Sequence, residues 1–409
     1  MSSTLFRNGR LYVGGSDALL DGHEVLVENG RIAAVSDRPI TAAATRTVDL
    51  GGRTLMPGLI DAHYHAIAAH PNFALVDAMP QSLVAQHSRS LLEASLQRGF
   101  TTIRDAGGAD YGLARAIEQG LIRGPRLFYS GAALSQTGGH GDFRPYEQPV
   151  MCSCGMGARS LARIVDGVPE VRRAARDELR KGATQIKIMA SGGVASPSDP
   201  VWNLQFSEEE IRAAVWEARS WRTYVMAHAY TPEAIARCIQ YGVRSIEHGN
   251  LIDAAAASVV AEHDAFVVPT LATYESLAAR GGELGMPQSS LDKLSDVRDA
   301  GLRSLEILTK AGAKIGFGTD LLGAMHADQL TEFEIRARVL PVATVLRQAT
   351  TINAELLQRE GELGTVSAGA LADLIVVDGD PLADLSVLGG NGERVVMVMK
   401  GGEVFKDTL

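Results

Sequence analysis

Between residues 56 and 355, short apolar segments alternate with helical windows at fairly regular spacing, and this alternation restricts the folds open to the chain. The apolar segments are 59–63, 101–105, 126–130, 185–189, 223–228, 245–248, 265–269 and 314–320. Helix-like stretches such as 169–181, 207–222 and 291–311 lie between them, and Ser207-Glu208-Glu209-Glu210 supplies a capping box at one helix start. Eight strands alternating with helices over about 300 residues predict an α/β chain, a (β/α)8 TIM-like barrel. A doubly wound open sheet is the structural rival, but no Gly-x-Gly-x-x-Gly follows the first strand to support it.

The two ends read differently. Asn8-Gly9 separates Leu5-Phe6 from Leu11-Tyr12-Val13, and Asn29-Gly30 separates Val25-Leu26-Val27 from Ile32-Ala33-Ala34-Val35. Asn-Gly between such runs is a strong hairpin signal. The apolar runs 374–377 and 395–399 repeat this style near the other end. Neither end is long enough to bury much core alone, so the two together predict one small sheet or sandwich.

Bulk properties exclude several functions. The net charge of -9 argues against nucleic acid as a partner, because phosphate binding needs clustered Lys and Arg. No segment reaches the roughly 18 apolar residues that cross a bilayer. Residues 1–9 lack an apolar signal core, which predicts a cytoplasmic protein, although a chain already trimmed of its signal would read the same. The three cysteines, Cys152, Cys154 and Cys238, have the wrong count and spacing for a disulfide framework or a zinc ribbon and are read as free thiols.

The polar residues at the strand ends carry the chemistry. His63 and His65 end the first strand, and residues i and i+2 of a strand share a face, so both imidazoles can reach one metal ion. His228 ends the fifth strand, His248 the sixth and Asp320 the eighth, while Lys187 sits inside the fourth. In a parallel barrel these ends meet at one mouth. Taken singly, a strand-end His is more often a hydrogen-bonded core residue, and an Asp after Gly-Thr is more often a helix N-cap. Placement of ligand-type residues on four strands in one register favours a metal site.

With these residues in view, the chain resembles the amidohydrolase superfamily. The carriers are Pro57-Gly58-Leu59-Ile60-Asp61-x-His63-x-His65, Lys187, His228, His248 and Gly318-Thr319-Asp320. The resemblance implies a β-sandwich composed of residues 1–56 and 359–409, flanking a barrel of residues 57–358. It implies two divalent metal ions, zinc by ligand chemistry: His63, His65 and Asp320 on one, His228 and His248 on the other. Lys187 would carry a CO2-derived carbamate that bridges them. The physics agrees, because a lysine among Ile186, Ile188 and Met189 resists charging and its neutral amine can add CO2. A metal-bridging hydroxide would attack the amide, with Asp320 as general base and then acid.

The segments 136–142, 191–197, Tyr230 and 269–274 resemble the prolidase-like branch, which includes Xaa-Pro dipeptidases and ochratoxinase-type enzymes. This implies cleavage of the amide to a C-terminal amino acid in dipeptides or N-acyl amino acids, ochratoxin A among them. His140 and Tyr230 would bind the substrate carbonyl or carboxylate, with His140 also an oxyanion electrophile. Gly193 and Val194 of the 191–197 segment, and His326 in the loop after the last strand, are further expected substrate-binding residues. Glu247 is expected to face away from His248 as a structural partner. Arg144 is read as a solvated loop residue, and His23, His70, His87 and His263 as surface residues. The resemblance also implies a small-molecule substrate, no membrane partner and a homo-oligomer, with octamers among the forms of relatives. A cyclic-amide hydrolase or another enzyme of the superfamily is the main alternative; a non-catalytic barrel relative would have lost ligands, and none of the six is missing here.

Overall fold

The structure, a computed structural model, describes residues 3–41, 44–144, 161–196, 199–286 and 288–409. Cys152 and Cys154 and part of the 191–197 segment lie outside the described residues; Cys238 is a buried free thiol.

Two sheets are built from the chain ends. The first orders the strands Arg31–Ser36, Glu24–Glu28, Ser3–Arg7 and Arg46–Asp49. The second orders Glu403–Asp407, Val395–Lys400, Leu374–Val377, Thr54–Pro57, Arg10–Leu11 and Leu20–Asp21, so both termini contribute to it. Phe6, Val25, Val27 and Val48 of the first sheet share a core with Leu55, Leu374, Val376, Met397 and Met399 of the second. The alternate residues Met56, Ile375, Val377, Val395 and Val398 join the other, larger core. The second sheet is thus buried on both faces, which explains why its strands read as unbroken apolar runs instead of alternating ones.

The two Asn-Gly pairs behave differently. Asn29 and Gly30, both at positive φ, connect the antiparallel strands Glu24–Glu28 and Arg31–Ser36 as expected. Asn8-Gly9 makes no hairpin. The strand Ser3–Arg7 pairs with Glu24–Glu28 and Arg46–Asp49, whereas Arg10–Leu11 pairs with Leu20–Asp21 and Thr54–Pro57 in the other sheet. The turn passes the chain from one sheet to the other, because longer-range partners bury more surface than a local hairpin would.

The middle of the chain is α/β. Every one of the eight predicted apolar segments contains a strand. A three-stranded parallel sheet orders Arg126–Tyr129, Phe100–Asp105 and Leu59–Tyr64. A seven-stranded parallel sheet orders Ala162–Ile164, Ala133–Ser135, Ile186–Met189, Val225–Ala229, Ser245–His248, Phe266–Val268 and Lys314–Ile315. Backbone bonds join the two sheets: Ala62 N to Phe317 O and Asp320 N to His63 O, both 2.8 Å, and Thr184 N to Tyr129 O at 2.8 Å. The last strand is shorter than predicted, ending at Ile315, and the following residues reach Asp320 in an irregular path.

Helices cover these sheets. Ser207 caps the helix Glu208–Ser220 with the predicted box, its own N–H donating to Glu210 Oε2 at 2.7 Å. The 291–311 window is two helices, Gln288–Asp292 and Leu294–Ala311, with Lys293 at the break. No helix among the described residues is long and apolar enough to cross a membrane.

Candidate metal centre and active site

The strand Leu59–Tyr64 delivers His63 and His65 to one point, where Asp320 meets them. His65 Nε2 lies 3.1 Å and His63 Nε2 3.4 Å from Asp320 Oδ1. Among the described residues these three form a group whose ligand atoms all fall within 4.8 Å of one another. His248 stands beside them, its ring 4.9 Å from that of His63, and His228 lies 4.6 Å from His248. Lys187 is 2 % exposed and lines the same pocket.

The protein holds these rings from behind. Glu247 and Gly107 offer only acceptors, so His63 Nδ1 donates to Glu247 Oε2 at 2.7 Å and His65 Nδ1 donates to the Gly107 carbonyl at 3.1 Å. His228 Nε2 donates to the Gly192 carbonyl at 3.2 Å. These bonds select the tautomers that leave Nε2 of His63, Nε2 of His65 and Nδ1 of His228 with a free lone pair. His248 Nδ1 bonds Thr270 Oγ1 at 2.8 Å, which leaves Nε2. Asp105 in turn accepts from Gly107 N, Ala109 N and Ala66 N, fixing the loop that positions His65.

Two of the acidic and basic ligand-type residues sit on strained backbone: His248 has φ +74 and Asp320 φ +53. Non-glycine residues at positive φ persist where surrounding structure enforces them, and such positions cluster at functional sites. The turn at His248 also overturns one expectation. Glu247 does not face away; it and His248 both contact His63, because the strand's alternation ends at the left-handed residue. Glu247 is nonetheless the structural partner expected, ion-paired to Arg104 at 2.9 Å with Ser245 Oγ bonded to it as well.

Electrostatics match a cation site. Burial raises the Asp320 carboxyl, but His63, His65 and His248 outweigh it and hold the group well below the usual carboxylate range. Burial keeps His228 and His248 well below ordinary imidazole, so both are neutral, as metal binding requires. Burial also pulls Lys187 down to about 8, against the opposing fields of Glu247 and Asp320. A free amine is therefore accessible near neutral pH. Burial raises Glu247, yet Arg104 and His63 bring it to about 2.

A pocket opens above this cluster, lined by the six ligand-type residues together with His140, Tyr230 and Tyr274. His140 stacks on His228 with centroids 4.1 Å apart, and Tyr230 lies over His248 at 5.1 Å with its hydroxyl 2.8 Å from that of Tyr274. His140 Nδ1 contacts Ser196 Oγ at 3.1 Å and Asp199 Oδ2 at 3.5 Å, leaving Nε2 for a ligand. Val194 lines the pocket. Gly193 backs His140: a Cβ there would come within 2.3 Å of the ring. His326 does not line the pocket; it is buried against Tyr64, ring centroids 4.5 Å apart. Arg144 pairs with Asp142 instead of standing free in solvent. His87 and His263 are exposed and His23 and His70 partly so. The apolar wall, with Phe73, Phe143, Leu161, Met189 and Leu277, was not singled out in the sequence, where such residues carry no mark that separates them from core.

Two imidazoles and a carboxylate whose ligand atoms lie within 4.8 Å of one another, with two further neutral imidazoles beside them, are what a metal-assisted hydrolase needs. The Amidohydrolase family matches residues 54–405, and the chain belongs to that metal-dependent family of hydrolases acting on amide bonds. The ochratoxinase of Aspergillus niger is 36% identical over 377 residues, covering 86% of this chain and 75% of that protein. A prolidase solved with N-methylphosphonate-L-proline is 52% identical, covers 100% of both chains and has a TM-score of 0.97. A Xaa-Pro dipeptidase solved with methionine in its active site is 30% identical, covers 99% of this chain and 100% of that one, and has a TM-score of 0.89.

Proposed function

We propose that this chain is a binuclear amidohydrolase that cleaves the amide bond to a C-terminal amino acid, in Xaa-Pro-like dipeptides or N-acyl amino acids, with ochratoxin A a candidate substrate. The observation that carries this reading is the convergence of His63, His65, Lys187, His228, His248 and Asp320 on one pocket. The prolidase, Xaa-Pro dipeptidase and ochratoxinase relatives support the substrate class. In this reading eight of the ten strands in the two parallel sheets, all but Ala133–Ser135 and Ala162–Ile164, close into one barrel, seamed by the Ala62–Phe317 and Thr184–Tyr129 backbone bonds.

His63, His65 and Asp320 would hold one divalent cation and His228 and His248 a second, both zinc by ligand type. The Lys187 amine would add to the carbon of CO2 and lose a proton, giving a carbamate, an anionic group that could serve as a further oxygen ligand. The cations when bound would supply Lewis acidity toward the amide carbonyl and acidify a water. Asp320, held ionised by the surrounding histidines, would take a proton from the attacking water and return it to the departing amine. His140 donates from Nε2 to the oxygen on which negative charge develops. The Tyr230 hydroxyl, with Val194 and Gly193 on the facing loop, holds the carboxylate end of the substrate. Phe73, Phe143 and Leu277 shield the site from bulk water and receive apolar side chains. The chain would act as a homo-oligomer.

The test joins two measurements. Metal analysis should return about two equivalents per chain, and a library of dipeptides and N-acyl amino acids, ochratoxin A included, should show turnover. Lys187→Ala should lose both metal and activity. A metal-free protein, or a metal-loaded one that cleaves only cyclic amides, would overturn the proposal.

A further inference from the structure

The pocket loop that follows the strand Ile186–Met189 carries much of the site, yet it is weakly tied to the rest of the chain. Gly192 O accepts from His228, Val194 and Ala195 line the pocket, and Ser196 and Asp199 face His140. The base of the loop is secured by Gly192 N to Asn203 O at 2.8 Å and Gln205 N to Ala190 O at 3.0 Å. Beyond that base, no backbone–backbone hydrogen bond joins residues 193–196 or Asp199 to any other described residue.

One side chain takes over that role. Lys293, at the break between the helices Gln288–Asp292 and Leu294–Ala311, donates from Nζ to three carbonyls of the loop. The acceptors are Asp199 O at 2.7 Å, Ser196 O at 3.0 Å and Gly193 O at 3.2 Å. An ammonium has three N–H donors, so this cradle uses its full capacity. Ser290 of the same segment adds a long contact to Ala195 O, 3.5 Å.

We infer that Lys293 is a positioning residue whose ammonium clamps Gly193, Ser196 and Asp199 in the arrangement that shapes the pocket and supports His140. Three carbonyl dipoles converging on one cation resist separation, and each charge-assisted bond is stronger than a neutral one. Without the cation, the same three carbonyls repel one another, and the loop keeps only side-chain ties such as Ser196 to His140 and Gln205 Nε2 to Asp199 Oδ2 at 2.9 Å. The link also couples two distant segments of chain, 191–205 and 271–311, the second of which brings Thr273, Tyr274 and Leu277 to the opposite pocket wall.

The experiment uses the metal-loaded full chain. Hydrogen-exchange mass spectrometry compares wild type with Lys293→Ala and Lys293→Arg, with and without methylammonium chloride. Lys293→Ala should exchange faster across residues 191–204 and nowhere else. Its metal content should stay at the wild-type level while KM rises roughly tenfold or more, the scale of losing bonds to a charged group. Methylammonium, which fits the vacated cradle, should restore both loop protection and KM. Lys293→Arg, which keeps a cation with several donors, should stay close to wild type. Wild-type exchange over 191–204 in the Ala variant would overturn the inference. So would protection lost evenly through the chain, loosening that methylammonium does not reverse, or an Arg variant as loose as the Ala one. The kinetic readout rests on the proposed amidohydrolase function; the exchange readout needs no substrate, so the two can fail separately.

Discussion

His63 shows how a single side chain serves two neighbours at once. Its Nδ1 donates to Glu247, itself locked by Arg104, while its Nε2 faces Asp320 at 3.4 Å. A carboxylate behind a ligand histidine fixes the ring and raises its basicity. Glu247→Gln keeps the shape but removes the negative charge from a buried pair with Arg104, so metal affinity should fall about 10- to 100-fold in equilibrium chelator competition. Unchanged affinity would show that Glu247 serves only the fold. Asp320→Asn tests the proton path instead: the chain should stay folded by circular dichroism while kcat drops by about 10²- to 10⁴-fold. Gly193→Ala addresses the opposite wall. Its methyl group would sit 2.3 Å from the His140 ring, so the imidazole must move, and kcat/KM should fall by about 10²-fold, the cost of a misplacement near 1 Å. Kinetics close to wild type would mean that His140 tolerates displacement.

Elements decide which of these residues could be read from sequence alone. The convergence of His63, His65, Lys187, His228, His248 and Asp320 on one pocket was legible because the histidines and Asp320 end or follow apolar segments, Lys187 lies within one, and the parallel arrangement brings those segments together. Glu247 was misplaced because its direction depends on the left-handed turn at His248, which no local pattern marks. Asn8-Gly9 carries the same signal as Asn29-Gly30, but its flanking strands find partners elsewhere, and pairing overrides turn chemistry. Lys293 was hidden inside what reads as one helical window, and Phe73 and Phe143 look like any core aromatics. The capping box illustrates the reverse case, a local rule that the structure extends. Glu210 closes the box on Ser207 through Oε2 and also accepts from Gly167 N through Oε1 at 2.7 Å, joining its helix to the start of Val168–Arg180. Ser207→Ala should cost about 1 kcal/mol in urea unfolding, as for other caps. Glu210→Ala, which strands two backbone donors instead of one, should cost more; equal losses would show that the link to Gly167 contributes nothing.

Across the whole molecule, the sheet built from both termini is fastened to the α/β part by groups that are expensive to bury. Lys400 Nζ donates to the Gly124 carbonyl, just ahead of the strand Arg126–Tyr129, at 2.5 Å. Beside it, Arg126 pairs with Asp373 at 3.2 Å, and Lys406 Nζ donates to Gln97 O at 3.1 Å. Burial pulls Lys400 down to about 8, with Asp373 and Glu403 opposing and Arg126 and Arg123 assisting. Below pH about 8 both folded and unfolded chains carry the proton, and the fold bears the cost of a half-hidden charge. Between about 8 and the ordinary lysine value of 10.5, the unfolded chain still binds the proton and the folded chain has released it, so stability rises with pH. Either form of the amine can donate to Gly124, so that bond survives the titration. In Lys400→Met the long apolar stem is kept, the titration is gone, and the loss of the Gly124 bond adds only an offset independent of pH. Urea unfolding at pH 7, 8, 9 and 10 should therefore show wild type gaining on the variant by on the order of 1 kcal/mol across that range, after solvent screening of a partly exposed group. The diagnostic quantity is the slope of the difference, because every other titrating group, Lys187 included, is common to both proteins and cancels. Parallel curves would mean that Lys400 titrates normally in the folded chain and that the joint between the two parts is more hydrated than its geometry indicates.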